Sequence, residues 1–333
     1  MYKRKVQKTG GTTYFVTLPK AWAEEIGVSP GSIVTLLPND SGTLLLVPES
    51  LARKNHCTIN LKDWPFDRFQ REIISRYIAG FDVIEIRTGR IRPEQRRMVR
   101  EIAQGLIGLE IFEETQGSVV LHALVNVRDF PVPKTLRRIF DITHAMLSDA
   151  VTAFCQHDEE LARDVVERDG DVDRLALLVA RQFSLLLRDL VLEEDYGLSR
   201  VRFQHYRAVS SQLERVADHA WKISEAALAL DSPVVKGVAK EIQERAEDSL
   251  SILERAVRSF EAGDGELADQ VLKERARSEQ LFELTRSAAA EKQPDHSPSI
   301  SIVLDSLLRI REYGFNIAES ALDAASSAAQ REN

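Results

Sequence analysis

"VVERDGDVDRLALLVARQFSLLLRDL", residues 165–190, carries positions 165, 169, 172, 176, 179, 183, 186 and 190 at alternating spacings of four and three. Those positions share one face of an α-helix, the face that meets a bundle core. Seven are apolar (Val165, Val172, Ala176, Val179, Phe183, Leu186, Leu190) and the eighth is Asp169. An unpaired carboxylate there would cost on the order of several kcal/mol, so it must be neutralised, paired or ligated. Asp173 follows one turn later on the same side.

Working outward, the next helix repeats the arrangement. Leu213, Val216, Ala220, Ile223, Ala227 and Leu230 form its apolar stripe, with Glu214 and Asp218 together at i,i+4 on the adjacent flank. Antiparallel packing of the two helices brings Asp169, Asp173, Glu214 and Asp218 together. Four such carboxylates repel unless a cation sits among them. Oxygen-only ligation suits Mg, Mn, Fe or Zn without choosing among them. The alternative is neutralisation by the neighbouring Arg168, Arg174 and Arg215. His219, beside Asp218, reads as a satisfied helix-surface histidine rather than a ligand.

From Pro131 onward the pattern is helical and internally repeated. "AFCQHDEELA" (153–162) matches "SFEAGDGELA" (259–268) at an offset of 106, and "ISEAALAL" (223–230) matches "IAESALDA" (317–324) at an offset of 94. The difference falls on the extra "LVLEEDYGLSRV" of the first copy. Each copy reads as three long helices, with residues 287–299 as the last interhelix loop. A pair of three-helix bundles follows, 131–230 and 232–329 within a domain of residues 131–329. At these offsets Asp169 and Asp173 become Arg275 and Glu279, and Glu214 and Asp218 become Leu308 and Glu312. Only the first copy keeps the carboxylate set. The expectation is one strong metal site or none, not two equal ones.

Upstream, residues 55–128 alternate strand-like and helix-like runs: "CTINL", "DRFQREIISRYIAG", "DVIEIRT", "RPEQRRMVREIAQGLIG", then two strands around Gln116-Gly117. That order predicts a small α/β sandwich with helices on one face and no catalytic motif. Residues 1–50 read as short strands around one helix, "KAWAEEI", started at Pro19 and stopped at Gly27. Such a piece has too little core to stand alone and is expected to bury surface against a copy of itself.

Charge is divided unevenly. The 333-residue chain has formal charge −8, yet no Asp or Glu precedes Glu24. Lys3, Arg4, Lys5, Lys8 and Lys20 give the first 23 residues +5, leaving −13 on the rest. The two cysteines, Cys57 and Cys155, make no disulfide framework or thiolate zinc site, which fits a reducing cytoplasm. No apolar run is long enough to span a bilayer, so no membrane insertion is expected. "TGGTT" lacks the Lys-Ser/Thr ending of a phosphate loop, and hydrolase and zincin motifs are missing. A di-iron oxidase needs paired Glu-x-x-His motifs, whereas Asp141-x-x-His144 is all this chain offers. A non-enzyme is expected.

"VVERDGDVDRLALLVARQF" (165–183) and "SSQLERVADHAWKISEAAL" (210–228) resemble the PhoU family. The resemblance spans roughly residues 131 to 329 and weakens in the second copy, where "LLRIREYGFNIAESAL" (307–322) has lost the acidic motif. It implies two three-helix bundles and metal-binding acidic motifs on Asp169, Asp173, Glu214 and Asp218. It also implies restraint of phosphate uptake and phosphate-responsive expression, through a transporter ATPase or its sensor. "RKVQKTGGTTYFVTLPKAWAEEIGVSPGSIVTLL" resembles the AbrB/SpoVT swapped-hairpin DNA-binding module. That resemblance implies a homodimer presenting Lys3, Arg4, Lys5, Lys8 and Lys20 to DNA, with Thr9, Thr12 and Thr13 at phosphates or base edges. Cations doubled by a two-fold axis neutralise phosphates and release counterions. The resulting expectation is a cytoplasmic, dimeric phosphate-homeostasis regulator of multidomain fold: swapped-hairpin β module, small α/β sandwich, helical bundle pair. The alternative is an interaction protein docking on the transporter, its N-terminal module serving only dimerisation.

Overall fold

The computed structural model describes residues 2–38, 42–48, 55–126, 129–188, 192–275 and 278–329. The chain divides into two compact units, residues 1–55 and 56–333. In the first, β1 (Gln7–Thr9) and β2 (Thr13–Phe15) form an antiparallel hairpin, and β3 (Val34–Pro38) pairs with β4 (Leu44–Pro48) as a second one. Between them α1 (Lys20–Ile26) starts after Pro19 and ends at Gly27, whose φ of 74° is the left-handed conformation that glycine adopts without strain. Pro48 alone is buried among the described residues of this unit, while Tyr14, Val16, Ile33 and Leu36 are exposed. The hairpins lack a core of their own.

The second unit opens with an α/β layer. Its sheet runs β5 (His56–Asn60), β6 (Val83–Arg87), β8 (Ser118–Ala123), β7 (Leu109–Glu114), with β5 parallel to β6 and the other pairings antiparallel. Helices α2 (Phe66–Ile78) and α3 (Pro93–Gln104) cover one face. Ile59, Ile84, Ile86, Val119 and Leu121 point inward by the period of two and meet Phe69, Ile73, Tyr77 and Val99. Each such side chain contributes about 1.5–3 kcal/mol on burial.

The helical half comprises α4 (Val132–Gln156), α5 (Glu159–Arg188), the short α6 (Leu192–Tyr196), α7 (Arg200–Leu228), α8 (Lys236–Ala262), α9 (Gly265–Leu272), α10 (Ser278–Lys292) and α11 (Ser297–Ala329). The stripe of α5 is placed as its spacing dictates: Val165, Val172, Val179 and Leu186 are buried, and Asp169 is half-buried among them. Leu190 lies outside the described residues. The stripe of α7 from Leu213 to Ala227 is buried, as is Leu230 two residues past the helix end.

Two expectations are corrected. The second copy's middle helix is not continuous but splits into α9 and α10, with Arg275 at the break. Residues 287–299 are not a loop: α10 runs to Lys292, and only a 3-10 turn at Pro294–His296 precedes α11. "SAAAEK" has high helix propensity, and Pro298 falls in the first turn of α11, where a missing N–H costs nothing.

Arg181 ties the α/β layer to the helices. It is 3% exposed and donates from Nη1 to the carbonyls of Tyr77 (2.7 Å) and Phe81 (2.9 Å), while Nη2 stands 3.5 Å from Asp82. It thereby caps the end of α2. Gly80, at φ 83°, makes the turn there, and a Cβ at that position would stand 2.8 Å from Leu185 Cδ2. This joint fixes α5 beneath α2.

Candidate functional site

Asp169 and Asp173 project from α5, and Glu214 and Asp218 from the facing flank of α7, all four half-buried. Burial, followed by the charges of Asp173 and Asp218, lifts the Asp169 carboxyl to about 6. Burial and then Asp218, Asp173 and Asp169 lift Glu214 to about 7. Asp173 is raised by burial and Asp218. Asp218 is raised by burial, with Lys222 and Arg215 opposing. The packing therefore brings the four sequence-predicted carboxylates within electrostatic reach, each resisting ionisation.

Arginine neutralisation relieves them only in part: the Arg215 charge opposes the upward shifts of Glu214 and Asp218 without cancelling them. Arg168 Nη2 is committed to Asp149 (2.6 Å) and Asp164 (2.9 Å), and Arg174 stands 3.8 Å from Asp171. Arg215 lies over the Tyr313 ring, 5.9 Å from its centroid. Asp169 Oδ1 is buried without a hydrogen-bond partner among the described residues. Among the same residues, no three His, Cys, Asp or Glu side chains are gathered tightly enough to hold an ion as they stand. The donor set is all oxygen and includes an orphaned one, the ligand type that a hard or borderline divalent cation takes.

His219 departs from the surface reading. It is half-buried, its Nδ1 has no partner among the described residues, and its ring centroid lies 5.7 Å from that of Tyr313. Burial, with Lys222 and Arg309 adding to it, pushes its pKa down to about 4. A neutral imidazole with an open nitrogen is the form a metal accepts. His144, by contrast, is satisfied by Glu254 at 2.7 Å, and Asp141 pairs with Arg137 at 3.0 Å.

The second copy supplies its own cations. Arg275 binds Glu312 (2.8 Å) and Glu319 (2.9 Å), and Arg255 makes a two-pronged pair with Glu274 (2.7 and 3.0 Å). Arg311, 7% exposed, lies in the field of Asp248 and Glu274. Leu308 is half-buried against the helical core, and the Glu279 side chain lies outside the described residues.

In the first unit, Lys3, Arg4, Lys5, Lys8, Thr9, Thr12 and Thr13 are all exposed on or beside the β1–β2 hairpin. Gly10 and Gly11 turn it with positive φ, and Lys8 lies over the Tyr14 ring at 5.8 Å. No carboxylate among the described residues pairs with the hairpin's four cations. Lys20 instead stands on α1, 3.6 Å from Glu24.

Sequence reasoning missed Arg181, Arg207, Ser210 and Gln212. A cation inside the apolar run "LLVARQFSLLL" was the available signal for Arg181. The other three line a cavity among α2, α5 and α7, which helix spacing does not report.

Residues 136–227 match the PhoU domain, and residues 7–54 match the antidote-toxin recognition MazE bacterial antitoxin family. Two curated relatives carry the name phosphate-specific transport system accessory protein PhoU homolog. That of Pseudomonas putida is 30% identical over 135 residues, covering 39% of this chain and 49% of the relative. That of Pseudomonas aeruginosa is 30% identical over 135 residues, covering 39% and 52%. The chain thus spans about half the length of the curated relatives it matches. Among solved structures, PhoU from Pseudomonas aeruginosa superposes with a TM-score of 0.53 at 20% identity, covering 61% of this chain and 99% of that one. The phosphate transport system regulatory protein PhoU from Streptococcus pneumoniae gives 0.51 at 19% identity, covering 59% and 94%. At these identities the likeness is one of fold. By sequence and by fold, then, this chain carries a PhoU domain in its helical half, preceded by a MazE/AbrB-like module.

Proposed function

We propose that the protein is a non-enzymatic, cytoplasmic regulator of phosphate uptake that acts as a homodimer and contacts DNA through its N-terminal module. The PhoU domain and the relatives' role in phosphate-specific transport support the first half. The observation that carries the second is the hairpin's four exposed cations, unpaired with any carboxylate among the described residues, on an otherwise acidic chain. Exposed apolar residues around them are what a second copy would cover. In the helical half, Asp169, Asp173, Glu214 and Asp218 would hold a divalent ion such as Fe, Mn, Zn or Mg. That ion would add the positive charge that Arg215 and Lys222 do not fully supply and so couple ion occupancy to helix packing. No helix among the described residues is long and apolar enough to cross a membrane.

A fluorescence-anisotropy titration of the full chain on its own upstream DNA tests the proposal. Affinity should fall steeply with salt, and a quadruple Ala variant at Lys3, Arg4, Lys5 and Lys8 should lose it. No binding at low salt contradicts it.

A second reading is favoured by coverage: solved PhoU chains superpose almost end to end on about three fifths of this one. The helical half could then dock on a transporter ATPase or sensor, with the N-terminal module only pairing two chains. Replacing residues 1–50 by an unrelated dimerisation module separates the readings. Phosphate-dependent transcript changes that persist would assign the mechanism to docking.

A further inference from the structure

A cavity of about 620 Å³ lies between α2, α5 and α7, floored by Ile74, Leu177 and Ala180. Its polar lining is of two kinds. Asp173 of α5 and Glu214 of α7 bring carboxylates. Other residues of α7 bring donors. The Arg207 guanidinium lies over the Phe183 ring, 5.4 Å from its centroid, and pairs with no carboxylate among the described residues. Stacking holds the guanidinium plane while leaving its N–H edge available. Ser210 is 2% exposed, and its Oγ has no hydrogen-bond partner among the described residues. The Gln212 Oε1 accepts from Asn316 Nδ2 at 3.2 Å, so the amide NH2 is what Gln212 has left to offer. Ser211 adds a hydroxyl beside them.

A bare anion would be repelled by Asp173 and Glu214, and a bare cation by Arg207. An oxyanion bridged to a cation satisfies both. We infer that this cavity takes a phosphate group, free or as a monoester, held by Arg207, Ser210 and Gln212 and joined to a divalent cation on Asp173 and Glu214. The inference rests on the carboxylate reading above and adds its ligand. The cavity exceeds a lone phosphate, which leaves room for the organic part of an ester.

The test is calorimetric titration of the full-length protein with Mn²⁺, alone and with inorganic phosphate or glycerol phosphate, against buffer blanks. Either phosphate compound should tighten Mn²⁺ about tenfold, and Mn²⁺ should tighten that compound by the same factor. A response to one compound only identifies the source of the phosphate group. S210A should bind Mn²⁺ alone as the parent does and R207A at least as tightly, with the coupling reduced to near unity in both, and R207K should restore part of it. Mn²⁺ binding that neither compound alters, or full coupling in R207A, overturns the inference and leaves the carboxylate reading standing. No Mn²⁺ binding at all overturns the carboxylate reading, and this site with it.

Discussion

The two helical repeats share a fold and solve one electrostatic problem in opposite ways. Where the first has Asp169, the second has Arg275, and the partners of Arg275, Glu312 and Glu319, correspond to Asp218 and Glu225. The Arg168–Asp149 pair of the first becomes Glu274–Arg255 in the second, the same bridge with its charges exchanged. Ala217 corresponds to the buried Arg311. The second repeat thus carries its counter-ions as guanidiniums, whereas the first leaves four carboxylates crowded and reluctant to ionise. One scaffold carries its acidic cluster paired with guanidiniums in one repeat and held back from ionisation in the other.

The largest effect should come from making the first repeat like the second. In D169R the new guanidinium meets Asp218 and Glu225, as Arg275 meets Glu312 and Glu319. Ion affinity should fall by roughly 100-fold or more, beyond what outer-shell changes cost. The ion-free protein should melt no lower than the parent. A lower melting temperature would mean that the repeats are not interchangeable at this position.

The joint to the α/β layer distinguishes the repeats next. The position matching Arg181 in the second copy is Ser287. R181M leaves the carbonyls of Tyr77 and Phe81 without this donor and should destabilise by about 2–4 kcal/mol in denaturant unfolding. S287M, on the second copy, should be close to neutral.

Acidity sharpens the comparison further. Asp169 and Glu214 hold their protons more tightly folded than unfolded. The stability they contribute is full below their ordinary pKa values and is lost as pH rises through about 6 and 7. Ion-free parent should therefore lose melting temperature between pH 4 and 7.5 relative to D169N/E214Q. His219 acts in the opposite sense, its stability lost as pH falls toward about 4, but it is common to both proteins and cancels. A saturating divalent ion should remove the difference above pH 7.

The smallest effect is the exchanged bridge. Double-mutant cycles on Arg168–Asp149 and Arg255–Glu274 should each give about 0.5–1 kcal/mol, since both pairs are partly exposed. A coupling near zero in either would remove that pair from the comparison.

Much of this was legible from periodicity, because core-facing positions recur every three or four residues whatever their partners. The buried stripes of α5 and of residues 213–230, and the inward lean of Asp169, came from spacing alone. What spacing could not report was cross-chain geometry. Arg181 is explained by a turn 100 residues earlier, and Arg207 and Ser210 by a cavity that three helices enclose. The break near Arg275 was hidden because "KERARSEQ" is an ordinary helix sequence, and the ion pair that Arg275 makes with α11 joins residues far apart in the chain. His219 looked like surface because it lies off the apolar stripe and beside Asp218, while Tyr313 that packs against it lies in another helix.

The central claim is that the first repeat requires an added cation and the second does not. Titrating the ion-free full-length chain with Mn²⁺, and counting bound ions per chain in the parent and in D169R, tests it most directly. One strong site in the parent and none in D169R is the predicted result; two sites of equal affinity, or a site unchanged in D169R, would contradict it.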